Sequence, residues 1–237
     1  MCYTQNRVNA LLSACVLSLV ATAGWSQSLT WLGTLPGYDR SYANAVSADG
    51  AVVVGWATNA AGRYRAFRWT ELGGMQDLGT LGGGDSWAYG VSADGAVVVG
   101  EAYNAALRSR AFRWTASGGM QDLGALGGSV SGASGVSADG AVVVGWAVNA
   151  AGQERAFRWT AAGGMEDLNT TYASLLTNGS VLSEARAISP DGRFIVGYGY
   201  NAGRWEAFLL DTVPEPASLM ALGAGLVGLL LRCRSKQ

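Results

Sequence analysis

The decapeptide VSADGAVVVG occurs at residues 46–55, 91–100 and 136–145, and a looser copy, ISPDGRFIVG, occupies residues 188–197. The aspartates of successive copies are 45, 45 and 52 residues apart. A period of about 40–45 residues with four strands in each unit is typical of β-propellers. The copies therefore predict an all-β protein built from four related units.

The repeated decapeptide has the chemistry of a tight turn followed by a buried strand. Asp-Gly favours a short hairpin, because Asp bonds its own backbone and Gly accepts positive φ. The AVVV run is apolar on both faces, so it needs cover on both sides, which one unit alone cannot supply. We therefore predict a structural role for the four turn aspartates, which are Asp49, Asp94, Asp139 and Asp191.

The turns divide each unit into short strands. In the second unit the predicted strands cover residues 75–81, 87–92, 96–102 and 110–115. Phe112 and Trp114 lie two residues apart, on one face of their strand, where they are expected to wedge between neighbouring sheets. This pattern predicts a β-propeller-like fold of four four-stranded blades.

The fourth unit lacks a strand after residues 206–211. The N-terminal sequence LTWLGTL, residues 29–35, matches the missing strand, so we predict that it closes the last blade. The alternative is an open stack of sheets that completes itself by dimerising. Residues 171–177, inside an insertion of the fourth unit, are expected to form one or two helical turns that stop at Gly179.

The N-terminal sequence is typical of a secretory signal peptide. Arg7 precedes an apolar run at residues 8–20, and Ala21-Thr22-Ala23 is a small-residue cleavage site. We therefore assign residues 1–23 to the signal peptide, and a buried core helix is the alternative. The sequence LSAC at residues 12–15 resembles a lipoprotein box, so lipidation at Cys15 is a second possibility.

The C-terminal residues 212–237 have three parts: a stiff break, an apolar run at residues 217–231, and a basic end. The break contains Pro214, Glu215 and Pro216, and the basic end contains Arg232 and Arg234. This order resembles the PEP-CTERM sorting signal of Gram-negative bacteria. The resemblance implies export, transient inner-membrane anchoring through a C-terminal helix, and processing by an exosortase near the PEP motif. It also implies association with the exopolysaccharide of biofilm-forming bacteria at the cell surface or in the matrix. A plain C-terminal anchor is the alternative.

The amino-acid composition excludes several classes of function. The sequence has no histidine, and its three cysteines, Cys2, Cys15 and Cys233, lie in the terminal segments. Histidine-dependent catalysis and histidine metal sites are therefore excluded, and the body has no cysteine nucleophile. The formal net charge of −1 gives no indication of nucleic-acid binding. We expect no cofactor, no metal site and no nucleic-acid partner.

Residues 29–211 form the repeat domain. Their units contain A-F-R-W-T, G-G-M-x-D-L-G-T-L-G-G and V-S-A-D-G-x-V-V-V-G, and they resemble the HAF family of extracellular repeats. The family's His-Ala-Phe is replaced by Arg-Ala-Phe at residues 65–67, 110–112 and 155–157. No activity follows from the resemblance.

Function in repeat proteins is expected where the units differ. Tyr38, Tyr42 and Trp87 lie in variable segments and are aromatic platforms of the kind that stack on sugar rings, although ordinary surface aromatics would look the same. We therefore predict a binding or scaffolding protein that is not an enzyme, with extracellular polysaccharide as a possible partner. The alternatives are an inert spacer and a glycan hydrolase that uses non-repeating acids, namely Asp39, Asp85, Glu101 and Glu184.

Overall fold

The structure, a computed structural model, describes residues 27–213. The predicted signal peptide (1–23) and the sorting residues from Pro214 onward, including Arg232 and Arg234, lie outside the described residues. The chain divides into two compact units, residues 1–31 and residues 32–237. Of the first unit, residues 27–31 are described, and they lie in no helix or strand.

Residues 32–213 form four antiparallel sheets, and within each sheet neighbouring strands follow one another along the chain. Sheet 1 contains β1 (Arg40–Val46), β2 (Val52–Thr58), β3 (Tyr64–Thr70) and β4 (Gly74–Asp77). Sheet 2 contains β5 (Gly82–Val91), β6 (Val97–Asn104), β7 (Ser109–Thr115) and β8 (Gly119–Asp122). Sheet 3 contains β9 (Gly127–Val136), β10 (Val142–Asn149), β11 (Glu154–Thr160) and β12 (Gly164–Asp167). Sheet 4 contains β13 (Val181–Ile188), β14 (Phe194–Asn201) and β15 (Arg204–Asp211). The predicted all-β class is confirmed.

The sheets stack in chain order, and apolar side chains fill the space between them. Val54 of sheet 1 is buried in one cluster with Val98, Phe112 and Trp114 of sheet 2. The equivalent residues of the third unit, Phe157 and Trp159, are buried with Val97 and Val99 of sheet 2. The AVVV strand of sheet 2 is therefore covered on both faces by neighbouring units, as its sequence predicts.

The Asp-Gly turns have the predicted geometry. Gly95 takes a φ of 70°. The Asp94 carboxylate accepts hydrogen bonds from the Ser92 hydroxyl (2.6 Å) and the Ala96 N–H (3.0 Å), and the Ser92 hydroxyl accepts one from Val97 N–H (2.9 Å). The other three turns repeat this arrangement, so the turn aspartates are structural.

A ladder of hydrogen bonds joins successive turns. The N–H of Ala48 donates to the carbonyl of Ala93, Ala93 donates to Ala138, and Ala138 donates to Pro190, each at 3.0 Å. Pro190 stands at the equivalent position of the fourth turn, and proline has no N–H. The ladder therefore ends at the fourth unit.

Two of the three repeated arginines also link units through hydrogen bonds. Arg68 Nε donates to the Gly95 carbonyl (3.1 Å), and Arg113 Nε donates to the Gly140 carbonyl (3.4 Å). The third, Arg158, has a buried Nε with no hydrogen-bond partner within the described chain. The fourth unit carries Leu209 at this position, so it lacks this forward link.

The predicted strand at residues 75–81 ends early. Strand β4 is Gly74–Asp77, and Asp77 accepts a hydrogen bond from Gly79 N–H (2.7 Å), which turns the chain toward the next sheet. Gly79 takes a φ of 80°, a conformation outside the strand region. The sequence LGTL is therefore a connection between units.

The predicted closure of the last blade by residues 29–35 is wrong for the same reason. Those residues lie in no strand, and among residues 27–213 sheet 4 has three strands. Gly33 takes a φ of 75°, as Gly79 does in the equivalent connection. Leu35 is instead buried against Ala57 and Phe67 of sheet 1, where it covers the face that no preceding unit covers.

The insertion of the fourth unit forms a helix at Leu168–Thr171 and a 3-10 turn at Ala173–Leu175. The Asp167 carboxylate caps the helix by accepting a hydrogen bond from Asn169 N–H. Leu168 is fully buried against Leu182 and Leu210 of sheet 4. The insertion is thus helical as predicted, although it begins three residues earlier and ends at Leu175, and the predicted stop, Gly179, lies in a separate turn with a φ of 72°.

Candidate functional site

Two strand positions vary among the units, although their surroundings repeat almost unchanged. The first, on the second strand of each sheet, holds Trp56, Glu101, Trp146 and Tyr198. The second, on the third strand, holds Tyr64, Ser109, Glu154 and Trp205. In sheet 1 these two positions are diagonal neighbours on adjacent antiparallel strands, because Trp56 opposes Ala66 and Tyr64 opposes Thr58. The units therefore share the same strand arrangement and differ in the side chains at these two positions.

In sheet 1 these positions contribute two rings to a continuous series of five aromatic rings on sheets 1 and 2, which we name the aromatic row. Tyr42 stacks on Trp56, with ring centroids 4.2 Å apart and planes 24° from parallel. The following centroid distances are 5.5 Å from Trp56 to Tyr64, 5.2 Å from Tyr64 to Trp87, and 5.7 Å from Trp87 to Tyr103. The row crosses from sheet 1 to sheet 2 between Tyr64 and Trp87.

A cleft of 350 Å³ lies at the sheet 1 end of the aromatic row. Three rings of the row line it, together with polar groups that suit hydroxyl-rich ligands: Asp39, Arg40, Thr58 and Asn59. Asn59 is held by its own turn, because its side-chain oxygen accepts hydrogen bonds from the N–H groups of Ala61 and Arg63. The cleft therefore combines aromatic faces with hydrogen-bonding side chains.

The aromatic row contains two of the three aromatic residues singled out from the sequence. Tyr42, which is 44% exposed, and the half-buried Trp87 belong to it. Tyr38 does not. Its side chain packs against the cluster of Leu35, Ala57 and Phe67 on sheet 1. That position makes Tyr38 part of the cover over sheet 1.

Sequence reasoning missed Trp56, Tyr64 and Tyr103, which complete the row. All three lie inside the observed strands β2, β3 and β6, whereas the sequence pattern indicated functional residues in the variable loops. The available signal was the repeat alignment itself, because Trp56 and Tyr64 stand where the next unit has Glu101 and Ser109.

Glu101 interrupts the aromatic series on sheet 2 and is held by its neighbours. It accepts hydrogen bonds from the Tyr89 hydroxyl (2.9 Å) and the Ser109 hydroxyl (3.0 Å). Burial, followed by the charge of Glu101, raises the pKa of Tyr89. A Cβ placed on Gly132 would lie 2.7 Å from Trp146 Nε1 and 3.1 Å from Glu101 Oε2, so both side chains lie over this glycine.

Glu184 is engaged in the same way on sheet 4. It accepts a hydrogen bond from the Tyr198 hydroxyl (2.8 Å) and pairs with Arg186 (3.1 Å). Burial raises the pKa of Glu154, and the charge of Glu184 acts in the same direction. Glu154 and Glu184 are therefore electrostatically coupled.

The remaining non-repeating acids lie near the cleft. Asp85 accepts a hydrogen bond from Tyr64 N–H (2.9 Å) and lies 3.9 Å from Arg63. Asp39 is exposed at the cleft. Within the part of the chain that the structure describes, no three acidic, histidine or cysteine side chains are grouped as metal ligands would be.

The C-terminal tail matches a known sorting signal. The model of the PEP-CTERM protein-sorting motif matches residues 212–235. This motif is the recognition signal for exosortase processing, and it indicates an exported protein. Among residues 27–213, no helix has the length and apolar character needed to cross a membrane. No curated protein matches the chain by sequence.

Solved structures share the fold. The chain is similar to TolB from Acinetobacter baumannii, with 16% identity and a TM-score of 0.54, over 76% of this chain and 42% of that one. It is also similar to a protein described as TolB from Agrobacterium tumefaciens, with 18% identity and a TM-score of 0.52, over 70% of this chain and 60% of that one. The chain thus spans about half the length of these relatives. At this identity the likeness concerns the fold alone, and it shows that the stacked sheets are arranged as in β-propeller proteins. The chain is therefore an exported all-β protein with a PEP-CTERM sorting tail and a propeller-like fold.

Proposed function

We propose that this protein is a four-bladed, propeller-like binding module that acts at the cell surface or in the polysaccharide matrix. Its ligand is a polysaccharide, which lies along the aromatic row. The observation that carries this proposal is the row itself: five rings from two units, with neighbouring centroids no more than 5.7 Å apart. The HAF-type repeat and the sorting tail support the same location outside the cell.

The chemistry of the row suits a sugar chain. Tyr and Trp present a large apolar face together with a polar group, and both are enriched where a ligand is partly wet. A sugar ring has apolar C–H faces and a rim of hydroxyl groups. The faces would lie on the aromatic rings, and the hydroxyls would bond the polar side chains Asp39, Arg40 and Asn59.

The paired strands and stacked sheets hold the rings of the aromatic row in position before a ligand binds. Trp56 and Tyr64 stand on adjacent strands of one sheet, and Trp87 stands on the first strand of the next sheet. The two sheets are joined by the buried cluster around Val54 and Phe112, and by a hydrogen bond from Asn44 Nδ2 to the Ala88 carbonyl (2.8 Å). A pre-organised surface loses less conformational entropy on binding, which favours affinity.

We further propose that the module binds without catalysis. A glycan hydrolase needs two carboxyl groups on opposite sides of the scissile bond, one of them free to act as an acid. Asp85, Glu101 and Glu184 each accept hydrogen bonds from neighbouring groups, which favours a structural role. The coupled pair Glu154 and Glu184 is the arrangement that would serve the alternative, a carboxylate-dependent hydrolase. Release of reducing ends by the wild-type protein, lost in Glu184→Gln, would establish that alternative.

The binding proposal is tested by electrophoresis through gels cast with the polysaccharide fraction from the producing cells' matrix. We expect the exported protein to be retarded, and Trp87→Ala to lose at least tenfold in affinity. A buried aromatic anchor at a binding surface contributes about 2 kcal/mol or more. The matched control is Trp146→Ala, which removes a half-buried indole outside the row. Equal retardation of both variants would contradict the role of the row.

A further inference from the structure

The outer edge of β15 carries no strand, whereas the equivalent edge in the other three units does. Strands β3, β7 and β11 each pair with a short fourth strand. Strand β15 pairs only with β14 among residues 27–213, over all eight of its residues. An unpaired strand edge presents a row of N–H and C=O groups, and natural proteins cover or blunt such edges.

The sequence that follows β15 differs from the turn sequence that precedes the fourth strand in the other units. In unit 1, Gly74 opens the fourth strand with a φ of 65°, and Gly73 N–H donates to Thr70 (3.0 Å). By the same spacing, Pro214 and Glu215 stand at these positions. Proline has no N–H to donate, and a glutamate pays a steric cost at positive φ. The PEP motif thus stands in the sequence where the other units have the residues of this turn.

The backbone groups on this edge can be identified from the repeat. The carbonyls of Ala66 and Ala111 accept hydrogen bonds from Leu78 and Leu123, which follow the fourth strands of their units. Ala207 is the equivalent residue of β15. Because strand groups alternate, Trp205, Ala207 and Leu209 direct their N–H and C=O groups toward the open edge.

The exposed apolar residues of β15 are symmetric about Ala207. Trp205 is 66% exposed and Leu209 is 69% exposed, and they lie two residues to either side of it. In an antiparallel pair of β15 strands centred on Ala207, Trp205 of each copy opposes Leu209 of the other. Directly opposed side chains are about 4.5–5.5 Å apart and stabilise the pair. The same edge also adjoins a cleft of 310 Å³, which leaves room beside residues 206–210.

We propose that two copies of this protein pair through antiparallel β15 strands about a two-fold axis at Ala207. The pairing joins two three-stranded sheets into one six-stranded sheet and brings Trp205 of each copy into contact with Leu209 of the other. Two further features favour this arrangement over a head-to-tail stack of sheet 4 on sheet 1. The fourth unit has Pro190 in place of the backbone N–H, and Leu209 in place of the arginine, that bond to the next sheet in the other units. On sheet 1, the face that a further sheet would cover is already covered by Leu35 and Tyr38.

The test compares the molar mass of the exported protein with that of Leu209→Pro and Leu209→Ala by light scattering over a concentration series. We expect a dimer for the wild type. Leu209→Pro removes a donor that faces the open edge, a position where a strand tolerates proline, so it should be monomeric with its fold retained. Leu209→Ala keeps that N–H and should dimerise more weakly. A monomeric wild type overturns the proposal, and so does loss of dimer in Leu209→Ala equal to that in Leu209→Pro.

A second measurement does not depend on the folding of the proline variant. Residues 27–213 contain no cysteine, so Ala207→Cys introduces a single thiol into the described part of the chain, at the proposed axis. Opposed strand residues approach within the Cα separation of about 4.4–6.8 Å that a disulfide requires. Mild oxidation should therefore give a covalent dimer of Ala207→Cys and none of the control Ala116→Cys. Equal cross-linking of the two variants would contradict the pairing.

Discussion

Gly95 shows how one residue serves both its own turn and the neighbouring sheet. Its φ of 70° favours glycine, and a Cβ there would lie 2.3 Å from Val52 Cγ2 of sheet 1. Gly50 has a φ of 75° in the equivalent turn, but a Cβ there would meet no atom within 4 Å. A substitution at either glycine strains the backbone, but only a substitution at Gly95 also produces a clash with the neighbouring sheet. Comparing the two positions therefore distinguishes the cost of backbone strain from the cost of that clash.

We predict that Gly95→Ala lowers the free energy of unfolding more than Gly50→Ala does. Both substitutions force a side chain into the left-handed region, at about 1–2 kcal/mol. Gly95→Ala adds overpacking against buried Val52, at roughly 1–3 kcal/mol. Chemical denaturation of the two variants measures the difference. Equal losses would mean that the turns do not pack against the preceding sheet.

The turn aspartates make stability depend on pH in the acid range. The Ser92 hydroxyl, followed by the Ala96 N–H, lowers the pKa of Asp94, and the same pattern lowers the pKa of the other turn aspartates. Because the folded pKa lies below the unfolded value of about 3.9, the contribution is present above that pH. It is lost as the pH falls through the folded pKa.

We expect Asp94→Asn to be less stable than the wild type at pH 7, since the amide accepts the same hydrogen bonds without the charge. The difference in free energy of unfolding should shrink as the pH falls below about 4, where the unfolded carboxyl becomes protonated, and should disappear once the pH has passed the lower folded pKa. Denaturation at a series of pH values follows this difference. A gap that stays constant down to pH 2 would show that the charge of Asp94 contributes nothing.

At the scale of the elements, the segment before β1 closes one end of the stack. Leu35 is 3% exposed, and it packs against Ala57 and Phe67 on the face that a preceding unit would cover. We predict that Leu35→Ala lowers the free energy of unfolding by about 2–5 kcal/mol, as for other buried leucines. Leu72→Ala, at a fully exposed position, should change it by about 0.5 kcal/mol or less. Thermal denaturation of both variants measures these changes. If Leu35→Ala left the free energy of unfolding unchanged, the stabilising role of Leu35 on the outer face of sheet 1 would be contradicted.

The elements also show how far the sequence predicts this molecule. The repeated turn, the strands that follow it and the aromatic wedges were predictable, because each depends on local chemistry that recurs in every unit. The end of the fourth strand was not, since it depends on whether Gly79 continues a strand or turns the chain. That uncertainty led to the wrong closure by residues 29–35.

The candidate site was only partly predictable for a related reason. Tyr42 and Trp87 were identified because they stand in segments that vary. Trp56, Tyr64 and Tyr103 become neighbours of these residues only when strands pair and sheets stack. Tyr38 was assigned to the site because the sequence does not show that its ring turns toward Leu35 instead.

At the scale of the whole molecule, a repeated frame carries a variable surface, and a sorting tail directs it out of the cell. The inter-sheet clusters repeat with nearly the same residues, so the units contribute similar stability. The aromatic row occurs only on sheets 1 and 2 within the described chain. Paired copies would present two rows, which raises the apparent affinity for a long polymer without new contacts.

The most direct test of the central claim is a titration of the exported protein with size-fractionated fragments of the matrix polysaccharide. Because the aromatic row offers consecutive rings, we predict that affinity rises with fragment length and then levels off once the fragment spans the row. In Trp56→Ala the row is divided, so the rise should stop at shorter fragments, with at least a tenfold loss for the longest, which corresponds to about 1.4 kcal/mol. Absence of binding to any fragment, or an affinity independent of both length and Trp56, would contradict the account.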